Sequence, residues 1–210
     1  MDVITPAYHY PNRMGRIIFS AMEDVLGQKG INVILNLASL SELIDHYPAP
    51  DDLKSQFSFD MIGRLSAALE SYYGPHGGRG IALRVGRACF QPGLREFGSL
   101  YGLTDITFRL LPLKMKLKMG VHSMAEIFNK YSDQQVQLEE TENTIIWKIV
   151  RCPLCWGRKA EGPCCQMAVG VLQEALYWAS GGKFFHVEET QCIALGNQAC
   201  SILIDKSPMS

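Results

Sequence analysis

The sequence carries almost no net charge. Across 210 residues, 20 Lys and Arg stand against 21 Asp and Glu, a formal balance of −1. Nothing in that balance favours nucleic acid or an anionic membrane surface as a partner. Long apolar runs are also missing. Hydrophobic residues make up 47% of the chain, yet no stretch reaches the roughly 20 residues that span a bilayer. The opening MDVITPAYHYPNRMGR has no hydrophobic signal core, so a reducing cytoplasm is the expected compartment. There is no internal repeat, low-complexity segment or long linker. Nucleotide fingerprints are absent too. The glycines of GPHGGRG (Gly74 to Gly80) follow a helical pattern instead of a strand, and GxxxxGK[ST] does not occur; a flexible turn is the expectation there. No Ser/His/Asp set can be argued, so a catalytic reading lacks residues. Length favours one domain over 1–210, able to bury a sizeable core.

What the chain has is cysteine, and it is concentrated. Six of seven cysteines lie between Arg151 and Asp205. Without a secretory signal, thiols this dense point to metal ligation before disulfides. Lys183 to Glu189 reads as a strand and Cys200 to Asp205 as its return, with Gly196-Asn197 as the turn. That hairpin brings Glu189, Cys192 and Cys200 together. Cys165, at the start of a helix, is the natural fourth donor, with Cys164 beside it. Three thiolates and a carboxylate suit a tetrahedral zinc ion. Arg158 and Lys159 are candidates to offset the formal −2 charge of such a site. His186 alternates onto the face opposite Glu189. The Cys152-Pro-Leu-Cys155 pair is open to several readings: a redox pair, half of a second metal site, part of an iron–sulfur cluster, or alternative ligands for one ion.

Upstream, apolar periodicity predicts helices over residues 12–30, 32–47 and 58–73, the last with Ser58 as N-cap and Gly74 past its end. Residues 81–101 are expected to be helical with a kink or break at Pro92, and 103–131 helical with an interruption at Pro112. Residues 134–140 and 144–150 alternate at period two and predict a hairpin. Residues 162–180 predict a helix. The class is therefore α+β: a helical N-terminal two-thirds, to about residue 131, packed on a four-stranded antiparallel sheet in a ββαββ module over about 132–205. A pocket between sheet and helices follows from that layering. Phe97, Phe108, Leu111, Met115, Met119 and Phe128 are candidate lining residues, since methionines line adaptable cavities as readily as they fill core gaps.

The run CPLCWGR…PCCQMAVGVLQEALYW…VEETQCIALGNQAC, with FGSLYGLTDITFRLLPLKMKL upstream, resembles the 4-vinyl reductase (hydrocarbon-binding) domain family. The resemblance implies a zinc site at Cys165, Glu189, Cys192 and Cys200. It also implies a His and a Trp that meet a ligand hydroxyl, here His122 and Trp147. A homodimer is expected on the same ground. Two functions follow as expectations. One is a sensor or carrier binding a hydrophobic small molecule (aromatic, lipid or tetrapyrrole) with a structural metal. The alternative is an enzyme or accessory factor in tetrapyrrole 4-vinyl reduction.

Overall fold

A computed structural model describes residues 7–103 and 105–209; what the sequence suggests for residues 1–6 and Thr104 lies outside them. The first element of the described residues is a short strand β1 (His9–Pro11), which runs directly into α1 (Asn12–Leu37). A loop with one 3-10 turn at Ser41–Leu43 leads to β2 (Ser55–Ser58), which pairs antiparallel with β1. Helix α2 (Phe59–Phe97) follows, then α3 (Ile106–Leu110) and α4 (Leu113–Tyr131). Among the described residues, no helix is long and apolar enough to cross a membrane.

Glycine explains the shape of both long helices. In α1 only Gly27 (φ 72°, ψ 163°) leaves helical geometry, and in α2 only Gly74 (φ 75°, ψ 163°) does. These are backbone conformations that side chains with a Cβ rarely adopt. After Gly74, Pro75 opens the next helical segment, where its missing N–H costs nothing. The flexible turn expected over residues 74–80 is therefore a one-residue break inside a helix. Pro92 lies within α2 on helical backbone, so the helix does not break there. The helix expected over 32–47 stops at Leu37. Ser58 does cap α2, its Oγ accepting from the Met61 N–H at 3.2 Å.

The C-terminal part is β3 (Gln135–Glu140), β4 (Thr144–Arg151), α5 (Gln166–Ser180), β5 (Phe185–Gln191) and β6 (Cys200–Pro208). All neighbours in the sheet are antiparallel, in the order β3-β4-β6-β5. This is the expected α+β class with its four-stranded sheet. Alternation decides which face is covered. Ile145, Trp147 and Ile149 of β4 are buried, and so are Ile202 and Ile204 of β6. Burying each such aliphatic side chain contributes about 1.5–3 kcal/mol. The register pairs Trp147 with Ile202 and Ile149 with Cys200, so the first thiol of β6 starts beside the end of β4.

Helix α5 lies directly against α2. A Cβ on Gly86 would sit 2.0 Å from the Met167 carbonyl oxygen, and one on Gly170 would sit 2.0 Å from that of Leu83. Only glycines permit this approach. It carries the start of α5, with its two cysteines, to the end of the sheet.

Candidate functional site

Two features meet where α5 begins: a cluster of buried thiols and an apolar cavity. The cluster is built from four chain segments. Cys152 and Cys155 lie in the loop just after β4, in a turn where the Trp156 N–H donates to the Pro153 carbonyl at 3.3 Å. Gly63 of α2 leaves room for the Trp156 carbonyl, which a Cβ there would meet at 2.3 Å. Cys165 immediately precedes α5. Cys192 follows β5, and Gly196 (φ 92°) turns the chain back to Cys200 at the start of β6. The Cys192 N–H is held by Asn197 Oδ1 at 3.1 Å, and the Ile193 N–H donates to Cys200 Sγ at 3.3 Å.

Sulfur separations are short throughout. Cys155–Cys200 is 3.4 Å, Cys152–Cys165 3.5 Å, Cys165–Cys200 3.6 Å, Cys165–Cys192 3.8 Å and Cys192–Cys200 3.9 Å. Cys164 reaches Cys192 at 3.7 Å. Two thiolates on one tetrahedral ion, each about 2.3 Å from it, stand about 3.8 Å apart. Cys165, Glu189, Cys192 and Cys200 each present a donor atom within 4.8 Å of the others, and so do Cys152, Cys155, Cys165 and Cys200. All six of these thiols, with Glu189, are buried.

Glu189 is split in function. Its Oε2 accepts from the Cys165 N–H at 2.7 Å and from Gln166 Nε2 at 3.4 Å, at the open end of α5. Its Oε1 is buried with no hydrogen-bond partner. Burial first, and then the charge of Cys192, push its carboxyl up to about 8. Hydrogen bonds from neighbouring thiols, Cys155 first, pull Cys192 down. Arg158 lies nearly buried beside Cys164 and Cys165, and its Nη2 meets Glu70 Oε1 at 2.8 Å. Arg79 shares that carboxylate at 3.6 Å. His186 faces away, paired with Glu188 at 3.2 Å.

The cavity holds about 140 Å³ and lies between the helices and the sheet. Helices α1 and α2 supply Met14, Ile18, Cys89, Phe90 and Phe97; α4 supplies Met124 and Phe128; β4 supplies Trp147. Leu154, between the two cysteines of the CxxC, and Met167, two residues after Cys165, belong to the same wall. Cavity and thiol cluster therefore share a partition. The polar side chains on the wall are few. Tyr10 OH donates to Gln134 Oε1, and both residues are buried. Burial pushes the Cys89 thiol up to about 12.

Of the candidate lining residues, the structure brings Phe97, Phe128 and Trp147 to the cavity. It places the others elsewhere. His122 is exposed, 3.9 Å from Glu140 Oε2. Met115 and Met119 are exposed. Phe108 stacks on Trp178 at 5.5 Å, beside a separate surface hollow. Leu111 is half-buried against the core. Sequence reasoning missed Tyr10, Gln134 and Cys89. Tyr10 lies in the three-residue β1 and Gln134 just before β3, and nothing in the sequence links the two.

No family model and no curated protein matches the chain. Solved structures do. One is a mutant of T. Tengcongensis H-NOX, with TM-score 0.58 and 15% identity, covering 92% of this chain and 96% of that one. An H-NOX protein from S. oneidensis in the Fe(II)NO ligation state gives 0.56 and 17%, covering 93% and 99%. An oxygen-binding H-NOX domain related to soluble guanylate cyclases gives 0.55 and 14%, covering 91% and 93%. These neighbours correct two expectations. The resemblance to the 4-vinyl reductase family does not stand, and the reductase alternative built on it falls with it. Zinc, with an iron–sulfur cluster as alternative, does not stand as the cofactor either: the cofactor chemistry with which the neighbours are described is heme and Fe(II). The short sulfur separations add a physical reason against an iron–sulfur cluster, since they leave no gap for inorganic sulfide. At these identities the likeness is one of fold: from β1 to β6, the chain is folded like an H-NOX domain.

Proposed function

We propose that this protein binds a hydrophobic small molecule of about one ring in the cavity beside Trp147, as a sensor or carrier. The observation that carries the reading is a preformed apolar cavity with one polar corner. A dry cavity of roughly 150 Å³ lined by aliphatic and aromatic side chains admits benzene. The 140 Å³ here is of that size, and below the roughly 300–1,000 Å³ of sites for larger ligands. At the corner, Gln134 carries an amide N–H and Tyr10 oxygen lone pairs. A hydroxyl, which donates and accepts, is the complementary group. A phenol-like molecule is thus favoured over a lipid or tetrapyrrole.

Heme, with which the fold neighbours are described, does not fit these residues. None of the five histidines lines the cavity, and no Lys or Arg on its wall could meet propionates. The wall thiol, Cys89, is held protonated by burial. A porphyrin is also far larger than the space. The thiol cluster serves the same reading in a different way: Cys165, Glu189, Cys192 and Cys200 hold a soft cation that ties the sheet to α5 and fixes Met167 in the cavity wall.

A thermal-shift comparison of phenol, toluene, palmitate and hemin tests this. Phenol should raise the melting temperature most, with about 2.7 kcal/mol of stabilisation at a hundredfold excess over its dissociation constant. Stabilisation by hemin or palmitate alone would contradict it.

A further inference from the structure

The two tetrads of donors share two members, Cys165 and Cys200, and differ in the other two. Tetrahedra that share an edge describe a pair of ions bridged by two thiolates. We propose that the cluster binds two soft divalent cations, with Cys165 and Cys200 bridging, Cys152 and Cys155 completing one ion, and Cys192 and Glu189 completing the other. This rests on the thiol cluster being a cation site at all.

Geometry supports the pair, and charge and an unpaired carboxylate oxygen are compatible with it. The bridging sulfurs are 3.6 Å apart, and each terminal thiol stands 3.4–3.9 Å from a bridging one, as the edges of two tetrahedra require. Charge comes next. One ion on Cys165, Glu189, Cys192 and Cys200 leaves −4 + 2 = −2. Adding a second ion with Cys152 and Cys155 contributes −2 + 2 = 0, so the buried charge does not grow. Arg158 and Arg79, sharing Glu70, leave one positive charge beside the cluster. Last, Glu189 Oε1 is a buried acceptor without a donor, an expensive state that a cation relieves. A single ion would also strand Cys152 and Cys155 as an idle, buried pair of thiols. Each thiol releases its proton to solvent as the ions bind, and no electron moves.

The test is titration of the reduced, metal-free full chain with ¹¹³Cd²⁺, followed by native mass spectrometry and ¹¹³Cd NMR. The inference predicts two cadmium ions per chain and two resonances of equal intensity. One would come from an all-sulfur site and one from a site with three sulfurs and an oxygen, coupled to each other through the shared thiolates. A paired Cys152→Ser, Cys155→Ser variant should bind one ion, while Cys164→Ser should still bind two. If the wild-type chain takes a single ion, the bridged pair is wrong and the single-ion site stands. Two uncoupled resonances would also overturn bridging. No bound cadmium, with all thiols reduced, would remove the cation site altogether. Because the decisive readout is on the wild-type chain, a variant that fails to fold does not blunt the test.

Discussion

On the proposed reading, ligand choice turns on Gln134 and Tyr10. If they read a hydroxyl, then Gln134→Leu removes the donor and leaves apolar contacts intact. Phenol affinity should fall by about 1–3 kcal/mol, the cost of an unmet buried hydrogen bond, while toluene affinity holds. Calorimetric titration of both ligands checks this; equal losses would mean the substitution merely deformed the cavity. Glu140 is a second residue with a defined signature. Lys206 at 2.7 Å and Lys118 at 3.0 Å hold its carboxyl down at about 2, with His122 farther off at 3.9 Å. A carboxyl lowered in the folded state contributes stability above its unfolded value of about 4.3 and loses it as pH falls toward about 2. Glu140→Gln should therefore be less stable than the parent at neutral pH, by about 1 kcal/mol or less since the network is partly exposed. The two should converge between about pH 5 and pH 2 in denaturant melts.

At the scale of elements, the crossing of α2 and α5 places the site. Gly86→Ala or Gly170→Ala forces a Cβ into a backbone carbonyl 2.0 Å away, and neither backbone can give easily. Overpacking of this kind costs about 1–3 kcal/mol or more. Gly120→Ala in α4 meets nothing within 4 Å and should stabilise by about 0.5–1 kcal/mol. Chemical denaturation of the three variants separates these signs. The hairpins, the helix beginning near Cys165 and the Ser58 cap were legible because alternation and capping are local signals. The phase of α4 was not. Its buried side is Leu117, Val121, Met124 and Ala125. Met115, Met119 and His122 form an equally regular stripe on the opposite side, and periodicity alone cannot choose between them. The glycine breaks in α1 and α2 pass for helix ends, because a break and a terminus look alike in sequence. Tyr10 and Gln134 escaped notice since they come together only through the fold, 124 positions apart.

For the whole molecule, the shared partition between cavity and cluster has a consequence. Leu154 is gripped between Cys152 and Cys155, and Met167 follows Cys165 by two positions, so loading the cluster should firm one wall of the cavity. Two sites that bias the same wall are coupled, and coupling is reciprocal. Phenol should bind the cadmium-loaded chain more tightly than the metal-free chain, by about 5-fold or more if the coupling reaches 1 kcal/mol. Phenol should in turn slow loss of cadmium to a chelator. Equal phenol affinities in both forms would show that the partition is rigid without the ions. The cysteine cluster was legible at this scale because its thiols are close in sequence. Its proximity to the cavity was not, since that depends on how α5 packs against α2.

On the proposed reading, the cavity beside Trp147 is a ligand site for a single-ring molecule. Crystals of the protein grown with 4-bromophenol, measured at the bromine absorption edge, test it most directly. One anomalous peak is expected inside the cavity, with the ring against Trp147 and Phe128 and the hydroxyl within about 3 Å of Gln134 Nε2 or Tyr10 OH. A cavity closed by repacked side chains, with bromine found only on the surface, would contradict it.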